Sequence, residues 1–135
     1  LLDRGAQIDT DREQDGETAL RMAVTRGNMR MFEMLLRRGA GIETPARLGE
    51  TALMSAVACE RMGMVSALLE RGAMIGCRND YGETALHYAA ANLTASVRLL
   101  LERGANPNCP NEIGRRPLHN AAANGYVQMA QVLLD

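Results

Sequence analysis

Residues 80–108 read DYGETALHYAAANLTASVRLLLERGANPN, and the parts of this stretch recur along the chain at a nearly constant period. One series of glycines follows a leucine pair at steps of 34, 33 and 32 residues: Gly5, Gly39, Gly72 and Gly104. A second series opens GETAL three times and GRRPL once, at steps of 33, 33 and 32 residues: Gly16, Gly49, Gly82 and Gly114. Two interleaved series with one period indicate a solenoid of repeated units.

Each unit carries two stretches whose apolar residues recur at helical spacing. Threonine opens the first helix in three units as a predicted N-cap: Thr18, Thr51 and Thr84. Arg116 takes this place in the last unit, so we expect that helix start to be the weakest, by about 1 kcal/mol. Pro117 follows it at the first helical position, where its missing N–H costs nothing.

The turn between the two helices differs from unit to unit. Gly27 ends the first helix of the first complete unit, and a second helix is predicted from about Asn28 to Arg38. Glu60 replaces that glycine in the next unit, so its turn must form without one. One residue is missing from the following turn, around Leu93, which accounts for the step of 32 residues.

Composition excludes several classes of function. The chain has 135 residues, a formal net charge of −1 and an aromatic content of only 3%, so nothing attracts it to nucleic acid. It has no apolar run long enough to cross a membrane and no signal peptide at its start. Its three cysteines lack CxxC spacing and favour a reducing compartment, which predicts an intracellular, cytoplasmic location.

The pattern resembles the ankyrin repeat family. Residues 82–90, GETALHYAA, and 100–105, LLERGA, carry the closest likeness, and the resemblance covers all 135 residues. It implies an all-α fold in which each unit has two antiparallel helices and a short projecting β-hairpin loop, stacked into a curved, L-shaped solenoid. Five residues depart from the motif's proline and histidine and put local cap strength in question: Ala19, Ala52, Ala85, Arg21 and Met54.

We expect one domain over residues 1–135, cut at both ends from a longer array, because its first and last leucine pairs match the middle of a unit. The predicted units are a repeat tail at 1–9, full repeats at 10–43, 44–76 and 77–108, and a repeat without its end at 109–135. We also expect a monomer within that array.

Stacking should bury one ladder of leucines, at 20, 53, 86 and 118, and one of alanines, at 23, 56, 89 and 121. The nine methionines fit adaptable core filler, because Met22, Met31 and Met34 fall beside the apolar stripe. The alternative is a methionine stripe that serves as a promiscuous binding surface.

No catalytic motif is present, so we predict a protein that is not an enzyme and that holds no cofactor or metal. His87 and His119 occupy equivalent positions, and the resemblance makes them structural hydrogen-bonding residues near the helix caps. Cys77 and Cys109 are also equivalent, and one unit separates them by about 8–10 Å, beyond the reach of a disulfide. We expect both to be free thiols, and Cys59 to be a small, partly buried helix residue.

The positions that vary between units are the hairpin tips and the exposed ends of the first helices. In ankyrin repeats these positions line the concave groove, so the resemblance implies a partner surface there. The candidate partner-binding residues are Asp15, Glu17, Arg26, Arg47, Leu48, Glu50, Asp80, Tyr81, Glu83, Asn92, Ile113 and Arg115. The three apolar tips could bind a partner or tuck against neighbouring hairpins, and both interpretations stay open.

The glutamates at 17, 50 and 83 allow two interpretations. Each lies just before a helix N-terminus, where the helix dipole stabilises a carboxylate by about 0.3–1 kcal/mol. They could instead form a negative stripe, interrupted by Arg115, that selects a basic partner.

The predicted function is a non-catalytic scaffold that binds another protein through the hairpin tips and the concave helix face. The alternative is an architectural or regulatory segment of a larger protein, such as a signalling enzyme, channel or adaptor.

Overall fold

The computed structural model describes residues 6–8, 17–92 and 95–135. Within these ranges the chain forms α-helices, a 3-10 turn at Arg47–Gly49 and no β-strand. The helices are α1 (Ala19–Arg26), α2 (Met29–Arg37), α3 (Ala52–Ala58), α4 (Met62–Glu70), α5 (Ala85–Asn92), α6 (Ser96–Glu102), α7 (Pro117–Ala123) and α8 (Val127–Leu134). Asp15 and the shortened turn at Leu93 lie outside the described residues.

The eight described helices pack as a stack of pairs. α1 packs against α2, α3 against α4, α5 against α6 and α7 against α8. The first helices also form a row of their own, in which α3 contacts α1 and α5, and α5 contacts α7. Every pair therefore has its neighbours along the stack as packing partners, which confirms the predicted all-helical repeat architecture.

The core lies between the first and second helices of each pair and continues along the row of first helices. Leu20, Leu53 and Leu86 are buried, as the leucine ladder predicts. The alanine ladder is buried throughout, at Ala23, Ala56, Ala89 and Ala121. The fourth leucine of the ladder, Leu118, is only half-buried, because α7 packs against a single first helix. Small residues at the helix contacts allow the first helices to approach one another closely.

The turn between α3 and α4 forms without glycine. Gly27 and Gly125 make the equivalent turns with φ of 68° and 71°. Glu60 takes the same left-handed conformation, with φ of 56°. A side chain with a Cβ atom is disfavoured there, so this turn is held by the packing of the helices on either side of it.

The loops that precede α3, α5 and α7 reverse direction in tight turns. In each, one backbone N–H donates across the turn: Ala46 to Glu50 (2.8 Å), Asn79 to Glu83 (2.9 Å) and Asn111 to Arg115 (2.7 Å). This pairing is too short to form strands, so the β-hairpins that the resemblance implies are present only as hairpin-like turns. We call the ends of these loops the tips.

Candidate partner-binding surface

Two of the three tips are built around a buried asparagine. The Asn79 Oδ1 atom accepts hydrogen bonds from the backbone N–H groups of Tyr81 and Glu83, both at 2.9 Å. The Asn111 Oδ1 atom does the same for Ile113 (3.1 Å) and Arg115 (2.8 Å). An amide oxygen that binds its own backbone two residues on fixes a turn, so these two tips share one rigid shape.

The tip before α3 has a different construction. Ala46 stands where the other two loops have asparagine, and it has no side-chain oxygen to offer. Leu48 adopts a left-handed φ of 64°, which no other tip residue except glycine does among the described residues. The tip nevertheless closes like the others: Gly49 N–H donates to the Ala46 carbonyl (3.0 Å), as Gly82 does to Asn79 (2.9 Å) and Gly114 to Asn111 (3.0 Å).

Three apolar side chains lie exposed at consecutive tips, and we call them the tip row. Leu48 is 42% exposed, Tyr81 55% and Ile113 75%. Backbone hydrogen bonds join the tips, from Asp80 N–H to the Leu48 carbonyl and from Glu112 N–H to the Tyr81 carbonyl, both at 2.9 Å. These exposures show side chains that are not tucked against neighbouring hairpins, and the binding of a partner by them stays a prediction.

The other predicted partner-binding residues are divided between exposed and half-buried positions. Those exposed to solvent are Arg26, Arg47, Asp80, Asn92 and Arg115. The three glutamates, at 17, 50 and 83, are half-buried. The exposed residues thus extend from the tips to the ends of the first helices, as expected from the repeat positions. Their contact with a partner stays a prediction.

Glu50 is the centre of a polar network that links three units. One carboxylate oxygen pairs with the Arg21 guanidinium of α1, and the other accepts a hydrogen bond from the Tyr88 hydroxyl of α5 at 2.5 Å. Arg21 also donates from Nε to Ser55 Oγ (2.7 Å), and Asn79 Nδ2 donates to the Tyr88 hydroxyl (3.0 Å). Both carboxylate oxygens of Glu50 are engaged inside the chain, a role that the two sequence interpretations did not include.

The network changes the acidity of its tyrosine. Burial raises the pKa of Tyr88 well above its ordinary value, and the hydrogen bond to the Glu50 carboxylate raises it further. The phenol therefore stays protonated and keeps donating to Glu50. The one sequence signal of this network was Arg21, which replaces the histidine of the repeat motif.

The two histidines act as structural hydrogen-bonding residues, as predicted. The His87 Nδ1 atom accepts from Thr84 N–H (3.1 Å) and lies 3.0 Å from Thr84 Oγ1. Its proton is then on Nε2, which donates to the Arg115 carbonyl at 3.0 Å and joins two units. His119 Nδ1 likewise accepts from Arg116 N–H, at 2.9 Å, so the start of α7 has a partner although Arg116 supplies no side-chain cap.

The cysteines are free thiols, as predicted for Cys77 and Cys109. Cys59 is half-buried at the C-cap of α3. The Cys77 thiol donates to the Glu43 carboxylate (3.4 Å), and burial, followed by this carboxylate, raises the pKa of Cys77. Across residues 6–8, 17–92 and 95–135, no group of three or more His, Cys, Asp and Glu side chains could hold a metal ion.

Two surface depressions lie at the start of the stack. One, of about 300 Å³, lies beside the first tip and is lined by Glu17, Arg21, Arg47, Leu48 and Glu50. The other is an apolar groove of about 270 Å³ between α1 and α2. Its lining residues are Ala19, Met22, Ala23, Arg26, Asn28 and Met31.

The methionines divide between core and surface. Met54, Met64 and Met129 are buried, which fits adaptable core filler. Met31 is 43% exposed and helps to line the groove between α1 and α2. The sequence placed this residue beside the core stripe and did not predict the groove.

Comparison with protein families gives one result for the whole chain. Stacked helix pairs whose units contact only their neighbours are typical of repeat (solenoid) proteins. The family described as "Ankyrin repeats (3 copies)" matches residues 1–79 and 57–135, which together span the sequence. The chain therefore belongs to the ankyrin repeat family, whose members are generally protein–protein interaction modules and typically non-catalytic. A comparison with curated proteins found no match.

In the described part of the chain, none of the helices combines the length and the apolar character that a membrane span requires.

Proposed function

We propose that this chain is a non-catalytic scaffold that binds a partner protein along the tip row and the exposed ends of the first helices. The observation that carries the proposal is the exposure of Leu48, Tyr81 and Ile113 on three joined tips. Exposed apolar side chains at successive equivalent positions form a surface that binding would bury favourably. The exposed charges around them would supply specificity more than affinity.

A selection from a random peptide library displayed on phage tests this proposal. Peptides that bind the 135-residue chain are then measured on two variants. The tip variant carries Leu48→Ser, Tyr81→Ser and Ile113→Ser, and the control variant carries Arg98→Ala in a second helix. The control residue is exposed on α6, away from the tips. We expect binders that lose at least tenfold in affinity on the tip variant and keep it on the control. Binders that ignore the tips would reject the proposal.

The second candidate is an architectural segment of a larger protein. It is favoured by the Glu50 network, which ties three units together and would stiffen the stack. If the selection yields no tip-dependent binder, this candidate becomes the better supported of the two.

The free thiols support a reducing compartment as the place of action.

A further inference from the structure

The groove between α1 and α2 is a face that the later helix pairs keep covered. Its apolar lining residues are Ala19, Met22, Ala23 and Met31. The residues 33 positions further on, in α3 and α4, are all buried: Ala52, Ser55, Ala56 and Met64. This side of α3 faces α1, because the Ser55 hydroxyl accepts a hydrogen bond from Arg21 Nε at 2.7 Å. No described helix packs on the equivalent side of α1 and α2, so Ala19 is exposed and Met31 is 43% exposed.

The pair of α7 and α8 presents the opposite face of the stack without a partner. Met29 of α2 contacts the next unit, because a Cβ atom at Gly63 of α4 would lie 3.1 Å from the Met29 Cε atom. Val127 of α8 is at the position equivalent to Met29, and it is 76% exposed. Ala122 of α7 is also exposed, whereas its equivalent in α5, Ala90, is buried. The two ends of the described stack therefore carry the two halves of the interface that joins successive units.

His119 has a hydrogen-bond donor that this face leaves unused. Its Nδ1 atom accepts from Arg116 N–H, so its proton is on Nε2, which has no partner among the described residues. His87, the equivalent residue of α5, uses its own Nε2 to donate to the Arg115 carbonyl of the next unit, at 3.0 Å. A helix pair stacked on α7 and α8 in the same register would offer His119 the same kind of acceptor.

The charges at the two ends suit a contact between them. Helices α7 and α8 contain no charged side chain, whereas each of the other three described pairs contains at least one. The exposed cations Arg26 and Arg30 of α1 and α2 would therefore meet no like charge there. Glu17 precedes α1, and Arg115 with its neighbour Arg116 precedes α7, so stacking in register would place a carboxylate beside two exposed cations. Opposite charges at the edge of the contact favour this register over others.

We propose that a second copy of this chain docks the groove between its α1 and α2 on the face of α7 and α8, in the register that joins successive units within one chain. The contact is head to tail, so two different faces meet and each added copy leaves one of them open. Apolar side chains on both faces leave water, which stabilises the contact. The proposal does not use the tip row and is independent of the proposed function. It departs from the monomer that the repeat pattern predicts, because the exposure of the two faces is visible only in the structure.

Sedimentation equilibrium of the 135-residue chain over a hundredfold range of concentration tests the proposal. We expect the average mass to rise with concentration above that of one chain. It should also pass the mass of a dimer, because a head-to-tail contact does not close on itself. The mass of a single chain at every concentration would overturn the proposal.

Met31→Glu in the groove and Val127→Glu on α8 separate the two faces. Both side chains are exposed, so neither substitution disturbs the core. Each variant alone is expected to associate at least tenfold more weakly, because its carboxylate would be buried against an apolar face. An equimolar mixture should form a dimer with one copy of each and nothing larger, since Met31→Glu keeps its α7 and α8 face and Val127→Glu keeps its groove. Arg98→Ala, exposed on α6, is the control and should associate like the unchanged chain.

The mixture decides the arrangement. A mixture that does not dimerise would overturn the head-to-tail contact, and so would a single variant that still dimerises alone, which indicates contact between like faces. Circular dichroism verifies that each variant remains folded. If the chain is monomeric and either variant loses peptides in the library selection, that face binds another protein. This inference then falls, while the proposed function still depends only on the tip variant.

Discussion

The turn at Glu60 stores backbone strain that a single substitution would release. A residue with a Cβ atom costs roughly 1–2 kcal/mol in the left-handed conformation that Glu60 adopts. Its side chain is exposed, so removing it sacrifices no core packing. Glu60→Gly is therefore expected to raise the free energy of unfolding by about 1 kcal/mol in urea denaturation. Glu60→Ala keeps the Cβ atom and is the control, and an equal gain in this variant would contradict the backbone explanation.

The tip before α3 lacks the asparagine that braces the other two. Ala46→Asn would place an amide oxygen where Asn79 and Asn111 bind two backbone N–H groups. We expect a gain of about 1 kcal/mol in the free energy of unfolding, which thermal or urea denaturation would measure. Asn79→Ala is the reciprocal variant and should lose stability for the same reason. A loss from both substitutions would mean that the left-handed Leu48 cannot rearrange to use the brace.

Reasoning from sequence succeeded for residues whose partners lie nearby in the chain. Thr18 and Thr51 accept hydrogen bonds three residues on, and His87 binds Thr84 over the same distance. The contacts of Glu50 could not be predicted from the sequence, because its partners lie 29 and 38 residues away in other units. A repeat pattern states which positions are equivalent, but it does not state which side chains meet across units.

At the scale of elements, close packing of the first helices depends on alanine. Ala89 of α5 is fully buried between neighbouring helices. Ala89→Leu inserts three carbon atoms where no space exists, and we expect it to cost about 1–3 kcal/mol. Ala122→Leu is the matched control, because Ala122 is exposed on α7. Thermal denaturation compares the two variants, and an unchanged midpoint for Ala89→Leu would contradict the packing register.

The contact between α5 and the preceding units, made by Tyr88, should weaken at high pH. Tyr88 has a pKa that is raised in the folded state, so the unfolded chain loses its proton first, near pH 10. The resulting stability is complete below about pH 10 and is lost as the pH rises further. Tyr88 is half-buried, so the slope stays below the limit of about 1.4 kcal/mol per pH unit for one proton.

Urea denaturation between pH 8 and pH 11 measures this dependence. Tyr88→Phe should flatten it, and Tyr81→Phe should not, because Tyr81 is exposed. The chain contains no lysine, and Cys77 is retained in every variant, so its own raised pKa affects all of them equally. Equal slopes in the two phenylalanine variants would contradict the assignment to Tyr88.

Element boundaries followed from the spacing of apolar residues and from caps. The second helix, predicted from about Asn28 to Arg38, spans Met29–Arg37 with Asn28 as its N-cap. The loops were predicted less well, because the implied hairpins contain too few backbone pairs to become strands. Loop conformation depends on single residues such as Ala46 and Asn79. These residues differ between equivalent positions, so a repeat pattern of period 33 does not predict their effect.

At the scale of the whole molecule, periodicity was sufficient to predict the stack, because a unit of this size cannot bury its apolar face alone. The equivalence of the three tip residues followed from the repeat, but their exposure did not, because the sequence left open whether they tuck against neighbouring hairpins. The hydrogen bonds that join neighbouring tips required the coordinates. The groove between α1 and α2 required the coordinates of both helices.

The cooperativity of the stack should depend on Glu50. Stability in repeat proteins is approximately the sum of terms for the units and for the interfaces between neighbours. Glu50→Gln removes the charge that Arg21 of α1 and Tyr88 of α5 share, and hydrogen bonds to charged groups contribute about 1.5–3 kcal/mol. We therefore expect a loss of that order, together with a smaller dependence of the unfolding free energy on urea as the units uncouple.

The matched control for this prediction is Glu83→Gln. Glu83 occupies the equivalent position of the next unit, and no ion pair to it is present in the described part of the chain. If a dipole effect common to these glutamates dominated, the two substitutions would lower the free energy of unfolding equally, by less than about 1 kcal/mol. If Glu50 joins three units, only its own substitution lowers the midpoint strongly and broadens the transition, because only there do two interfaces weaken together.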